Sequence, residues 1–100
     1  MNTSTRTQNK IKRTDYEIFR DQQLANPKRR ERYEAELNRL QLAETIIELR
    51  KKRGVSQIEL ARKAGMRQPA IARLESGREN PRYETVVRVF GALGAKQIPV

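Results

Sequence analysis

The stretch GVSQIELARKAGMRQPAIARLESGRENP, residues 54–81, decides the fold. Ser56 stands just before a run of helix formers, and Glu59 follows three residues later. That spacing is a capping box, in which each side chain accepts a hydrogen bond from the other residue's backbone amide. It opens a helix over Gln57 to Ala64, with Ile58, Leu60 and Ala61 as apolar contacts. Gly65 closes that helix, because glycine enters the left-handed region without steric cost. A second short helix follows over Gln68 to Glu75. Pro69 is tolerated near its start, where backbone amides have no intrahelical acceptor. Ile71 and Leu74 are expected to point inward, and Arg67, Gln68, Ala70 and Arg73 outward. Arginine reads guanine bidentately, glutamine reads adenine, and a small apolar group meets a thymine methyl. The outer face of this helix therefore carries base-reading chemistry, the plain alternative being a solvated polar surface.

Downstream, Ser76-Gly77 makes a turn and Asn80-Pro81 opens a further helix from about Pro81 to Leu93. Val86, Phe90 and Leu93 fall on one face of it at spacings of four and three. Val87 and Val89 lie off that face. With Ile98 to Val100 they are candidates for a dimer surface, ordinary core or tail packing being the alternative. Residues 95–100 read as a tail or a short edge strand. Upstream, Pro27 to about Arg53 contains no Gly and no second Pro. This predicts one long helix of about 26 residues, roughly 39 Å. Its second half carries the stripe Leu42, Ile46, Leu49, with Leu40, Ala43 and Ile47 off it. Its charged first half is expected to project beyond the core. Arg50-Lys51-Lys52-Arg53 places positive charge at the negative end of the helix dipole, and Gly54 stops the helix. Before it, Thr14 caps a short helix to Ala25, with Asp15 and Glu17 in the first turn. Asn26-Pro27 is a stop and restart. Residues 1–13 are polar and basic and read as a disordered arm.

Composition narrows the function. One hundred residues make one domain with a modest core. Lys and Arg total 22 against 12 Asp and Glu, a formal net charge of +10. Such an excess attracts polyanions, nucleic acid first and anionic membrane second. There is no apolar run of membrane-spanning length and no apolar segment at the amino terminus to act as a signal peptide, so a cytoplasmic location is expected. The chain has no cysteine and no histidine. Disulfides, thiolate metal sites, cysteine nucleophiles and the usual general base are thereby removed. No catalytic residues, no metal site and no cofactor are expected, and an enzyme is the least favoured class. The basic stripe Arg67, Arg73, Arg78 and Arg82 instead favours DNA binding.

Two short helices joined at a glycine turn have helix-turn-helix dimensions. Residues 54–65 resemble the first half of a Cro/CI-type (XRE family) helix-turn-helix, and residues 67–81 resemble the second. The resemblance rests on Ser56-Gln57, Leu60-Ala61, Gly65, the run Ile71, Leu74-Glu75, Gly77, and Asn80-Pro81, and spans roughly residues 42–94. It implies an all-α fold: a lambda repressor-like bundle preceded by a helical extension. The expected organisation is a basic arm over 1–13, an extension over 14–41, the DNA-binding domain over 42–94 and a tail over 95–100. The resemblance further implies that Gln57 touches backbone or a base edge, and that Arg67, Gln68, Pro69, Ala70 and Arg73 face the major groove of an operator. Ser76, Gly77 and Arg78 would meet phosphate. Pro69 departs from the family's usual hydrogen-bonding residue, so reading there is by shape or apolar contact. Arg50 and Glu75 occupy the places of an ion pair that staples helices together. A homodimer on DNA is expected, because one recognition helix supplies few contacts.

The residues before 42 resemble the amino-terminal extension of HigA-type antitoxins, on Phe19, the Asn26-Pro27 break, Arg32-Tyr33 and the run into Leu42-Ala43-Glu44. Such proteins pair with RelE/HigB-like mRNA-cleaving toxins. The resemblance implies that Tyr16, Phe19, Leu24 and Tyr33 anchor in a toxin's pockets and that acidic residues such as Glu34 meet its basic surface. The alternative for the aromatics is that they close the bundle or form a dimer contact. The alternative for the chain is a stand-alone phage or plasmid-type repressor. A third reading, an adaptor that no longer binds DNA, sits poorly with the basic stripe.

Overall fold

The protein is described here by a computed structural model covering residues 14–98. The arm expected over residues 1–13 and the last two residues, Pro99 and Val100, lie outside the described residues. Six helices follow one another: α1 (Asp15–Leu24), α2 (Pro27–Glu36), α3 (Arg39–Lys52), α4 (Gln57–Ala64), α5 (Gln68–Glu75) and α6 (Tyr83–Ala92). Among the described residues there is no strand, so the chain is all-α. Two capping boxes start helices where the sequence predicts them. Thr14 Oγ1 accepts from the Glu17 amide at 3.0 Å, and Glu17 Oε1 accepts from the Thr14 amide at 2.8 Å. Ser56 and Glu59 repeat the arrangement at 3.0 and 3.1 Å. These caps satisfy amides that the helix itself leaves without acceptors.

The expected long helix is two helices. Leu37 (φ −60°, ψ 124°) and Asn38 (φ −120°, ψ 106°) are extended, and the Asn38 side chain accepts from the Gln41 amide at 3.1 Å. Asn offers its neighbours a cap in place of the helical ladder, so it starts a new helix rather than continuing the old one. The break turns α2 back onto the bundle. Its first half therefore does not project: Tyr33 is only 2% exposed and sits in the core.

Helix α6 lies at the centre, packed by α1, α2 and α4. Its Val86, Val87, Val89 and Phe90 are all buried, together with Leu93 beyond its end. A helix apolar nearly all round must be surrounded. This corrects Val87 and Val89 as dimer candidates, because both face neighbouring helices of the same chain. Ile98 also leans on the core. Helix α6 begins at Tyr83 with Arg82 as its cap, two residues later than Pro81 suggests. The Pro81 carbonyl is instead taken by the Tyr33 hydroxyl at 2.6 Å. The rest of the core is Phe19, Leu42, Ile46, Leu60, Ile71, Leu74 and Tyr83. Ala43, expected off the buried stripe, is buried as well, whereas Ile58, expected to pack, is 68% exposed.

Candidate nucleic-acid interface

Helices α4 and α5 meet through a three-residue turn, Gly65 to Arg67. Gly65 has φ +67°, which the reversal requires. Leu60, Ala61, Ala64, Ile71 and Leu74 hold the inner faces together. That packing fixes the outer face of α5, where Arg67, Pro69 and Arg73 are exposed and Gln68 and Ala70 half-buried. Pro69 lies in the first turn, so its missing amide costs no helical hydrogen bond.

A chain of polar side chains ties this face to the body of the protein. The Arg50 guanidinium, from α3, meets the Glu75 carboxylate at the end of α5 through two bonds, Nε to Oε2 at 2.6 Å and Nη2 to Oε1 at 3.0 Å. Arg50 Nη1 also donates to the Val55 carbonyl at 3.0 Å. Glu75 is nearly buried, its side chain 5% exposed. A buried carboxylate needs its partners, and this one has a further donor: Gln57 Nε2 at 2.9 Å. Gln57 Oε1 in turn accepts from Gln68 Nε2 at 2.7 Å. The Glu75 carboxylate holds the Arg50 guanidinium above its ordinary pKa through the shared hydrogen bond. In the capping box at the start of α4, the backbone amide and hydroxyl of Ser56 hold the Glu59 carboxyl below its usual range. Gln57 and Gln68 stand at the first positions of α4 and α5, which the turn brings side by side. Their link was missed in the sequence, although a helix-turn-helix geometry with Gln opening both helices signals it.

The turn after α5 gathers a second group. Ser76 Oγ donates to the Arg73 carbonyl at 2.6 Å and accepts from the Arg78 amide at 3.2 Å. Gly77 has φ +75°, a left-handed backbone that glycine adopts without the strain a side chain would bring, and it faces the exposed Leu40 side chain. Arg39 Nη1 donates to the Arg78 carbonyl at 3.3 Å, fastening the turn to the start of α3. Arg73, Ser76 and Arg78 line one open cleft with Ala72 and Glu79. Glu79, absent from the sequence-predicted set, is bound to Arg73, Nε to Oε1 at 2.9 Å. No spacing rule announces this pair, because it forms across a turn. Arg82 lies elsewhere: it lines a groove of about 580 Å³ between α2 and the start of α6, with Arg30, Tyr33 and Glu34. There Arg30 pairs with Glu84 and holds that carboxyl down at about 2.

The residues expected to anchor a partner are divided by the structure. Phe19 and Tyr33 are corrected: at 7% and 2% exposure they close the bundle and offer nothing to a pocket on another protein. Tyr16 is half-buried, its ring laid over Gly91, where a Cβ would stand 2.5 Å from Tyr16 Cδ1. Leu24 (40% exposed) and Glu34 remain at the surface, and Ile18 (42%), not one of the expected anchors, is exposed as well.

A family model described as helix-turn-helix matches residues 46–98, just over half of the chain. A protein of Haemophilus influenzae described as an uncharacterized HTH-type transcriptional regulator is 38% identical over 56 residues, 56% of this chain and 57% of the relative. The chain thus spans little more than half of that relative's length. No solved structure gives a significant match.

Proposed function

The chain belongs to the helix-turn-helix family, and we propose that it is a DNA-binding transcriptional regulator that reads its operator with α5 in the major groove. The observation that carries this reading is the chain from Arg50 through Glu75 and Gln57 to Gln68. It fixes a base-reading amide at the start of an exposed helix before DNA arrives, which lowers the entropic cost of the contact. Arg67, Pro69, Ala70 and Arg73 extend the same face. Arg78 supplies charge for phosphate from the turn of Ser76 and Gly77, whose own amides bond within the protein, so the turn positions that cation. Arg82 lies apart from this face. A second copy would meet a half-site one helical turn away, about 34 Å, which doubles the contacts. Among the described residues no helix is long and apolar enough to cross a membrane. A regulator of this kind acts in the cytoplasm, where its DNA lies.

The finer reading is an antitoxin of the HigA type, which neutralises a RelE/HigB-like toxin and represses its own operon. It is supported by α1 and α2, which precede the DNA-binding helices and carry the exposed Leu24 and Glu34 and the half-buried Tyr16. The alternative is a repressor without a toxin partner. Both are tested by purifying the tagged full chain together with the products of the neighbouring reading frames, while measuring its binding to the DNA upstream of its own gene. A stoichiometric small basic partner, lost on Leu24→Asp and kept on Arg73→Ala, supports the antitoxin. DNA binding with no partner leaves the repressor. Arg73→Ala should weaken operator binding by roughly 1–3 kcal/mol. No binding to that DNA or to any other duplex would end the DNA-binding reading.

A further inference from the structure

The pair between Arg73 and Glu79 asks for an explanation, because stability does not provide one. Its side chains are 61% and 42% exposed, and an ion pair so open to water contributes little to folding. A carboxylate on a surface meant for phosphates is also an electrostatic cost. It is nonetheless held in place by construction. Ser76 accepts from the Arg78 amide, and Gly77 takes the left-handed backbone that turns the chain back along α5. This carries Glu79 to the side of Arg73.

The geometry points to Glu79 as a specificity-determining residue that positions Arg73 for guanine. The inference rests on the DNA-binding reading above. A guanidinium presents five N–H donors in a rigid fork. Glu79 occupies the Nε edge at 2.9 Å. The end pair, Nη1 and Nη2, stays available for the O6 and N7 acceptors of guanine, which take two parallel hydrogen bonds. Arginine otherwise loses much rotamer freedom on forming such a contact. A guanidinium braced beforehand loses less, and only where the base offers two acceptors. The same carboxylate repels the backbone of every sequence alike. Glu79 therefore favours the correct site by ordering the reader, while its charge weakens attachment to all duplexes by one factor and leaves their ratio unchanged.

The test uses the full chain and two duplexes of equal length: one selected by the wild-type protein from a randomised pool, the other of scrambled sequence. Binding is followed by fluorescence anisotropy at several salt concentrations for wild type, Glu79→Gln, Arg73→Ala and the double variant. Glu79→Gln should bind the scrambled duplex several-fold tighter and lower the ratio of selected to scrambled affinity by about tenfold, within the range one bidentate base contact spans. In the Arg73→Ala background the same substitution should tighten both duplexes equally and leave the ratio unchanged. Thermal melts of the single variants should match wild type, since the pair is exposed. A Glu79→Gln protein that keeps the wild-type ratio, tightening both duplexes by one factor, overturns the inference and leaves the DNA-binding reading intact. A wild-type chain that binds neither duplex overturns both.

Discussion

Tyr33 shows how one residue changes its role when the chain folds. An aromatic in a charged segment reads as an anchor for another protein. In the structure its ring lies 5.4 Å from that of Tyr83, and its hydroxyl donates to the Pro81 carbonyl at 2.6 Å. Burial pushes its phenol up to about 12, and the Tyr83 phenol is also raised by burial. Raised folded values fix the sign of the pH dependence. The neutral phenol is the folded form, so its stabilisation is complete below the unfolded value near 10 and is lost as pH rises through about 12. Tyr33→Phe should cost about 0.5–1.5 kcal/mol at neutral pH, one buried hydrogen bond. It should also remove the last phase of phenolate absorbance on alkaline titration. An unchanged melting temperature, with the late phase still present, would place that hydroxyl elsewhere. Spacing in the sequence could not reveal this role, because Tyr33 and Pro81 are joined only by the tertiary fold. Leu60, Ile71 and Leu74 were legible because local helical period alone turns them inward. Ile58 was not: it is 68% exposed and lies off the face of α4 that Leu60, Ala61 and Ala64 bury, and an apolar residue at the start of a helix does not reveal by type alone which side it takes.

At the scale of elements, starts and stops were written in local chemistry wherever a side chain caps its own helix. Thr14 with Glu17, Ser56 with Glu59, and Gly65 all act within a few residues, so the sequence shows them. The break between α2 and α3 is different. Asn38 lies among strong helix formers, and the segment lacks the Gly or Pro that would announce a boundary. What decides it is that Tyr33 on one side and Leu42 and Ile46 on the other are all buried in one core, with Leu37 leaning on it. Asn38 then satisfies the Gln41 amide that the break exposes. Asn38→Ala should lower stability by about 1 kcal/mol, and Asn38→Gly by only a few tenths. Thermal or denaturant unfolding of the two variants measures it. Equal losses would show that the backbone angles, and not the cap, hold the break. The start of α6 teaches the same lesson, since Pro81 fits a first helical position by type yet serves as an acceptor for Tyr33.

The whole molecule joins what the sequence reads as two parts. Residues before 42 resemble an appended extension, and their charge hides their contribution to the core. Helix α6 packs α1 and α2 on one side and α4 on another, so the extension and the DNA-reading helices share one interior. The proposed boundary at 41–42 falls inside α3, which runs unbroken from Arg39 to Lys52. Further ties cross between the parts: Tyr83 Oη donates to the Gln23 carbonyl at 3.1 Å, and Arg30 pairs with Glu84. Removing residues 14–36 would take Phe19 and Tyr33 out of the core. Truncating one large buried aromatic costs about 3–5 kcal/mol, and two approach the 5–15 kcal/mol that holds a domain of this size together. The full chain should therefore melt in one cooperative step, and a chain lacking residues 14–36 should show no such step near the same temperature. Circular dichroism during heating, with binding to duplex DNA measured in parallel, checks this. The truncated chain is expected to lose helical signal and DNA binding together, although every proposed DNA contact lies outside the deleted segment. A truncated chain that melts as the full one does would mean that α3 to α6 fold alone. The buried faces of Phe19 and Tyr33 would then be a dispensable cover, and the extension would be free to serve a partner as a separate unit.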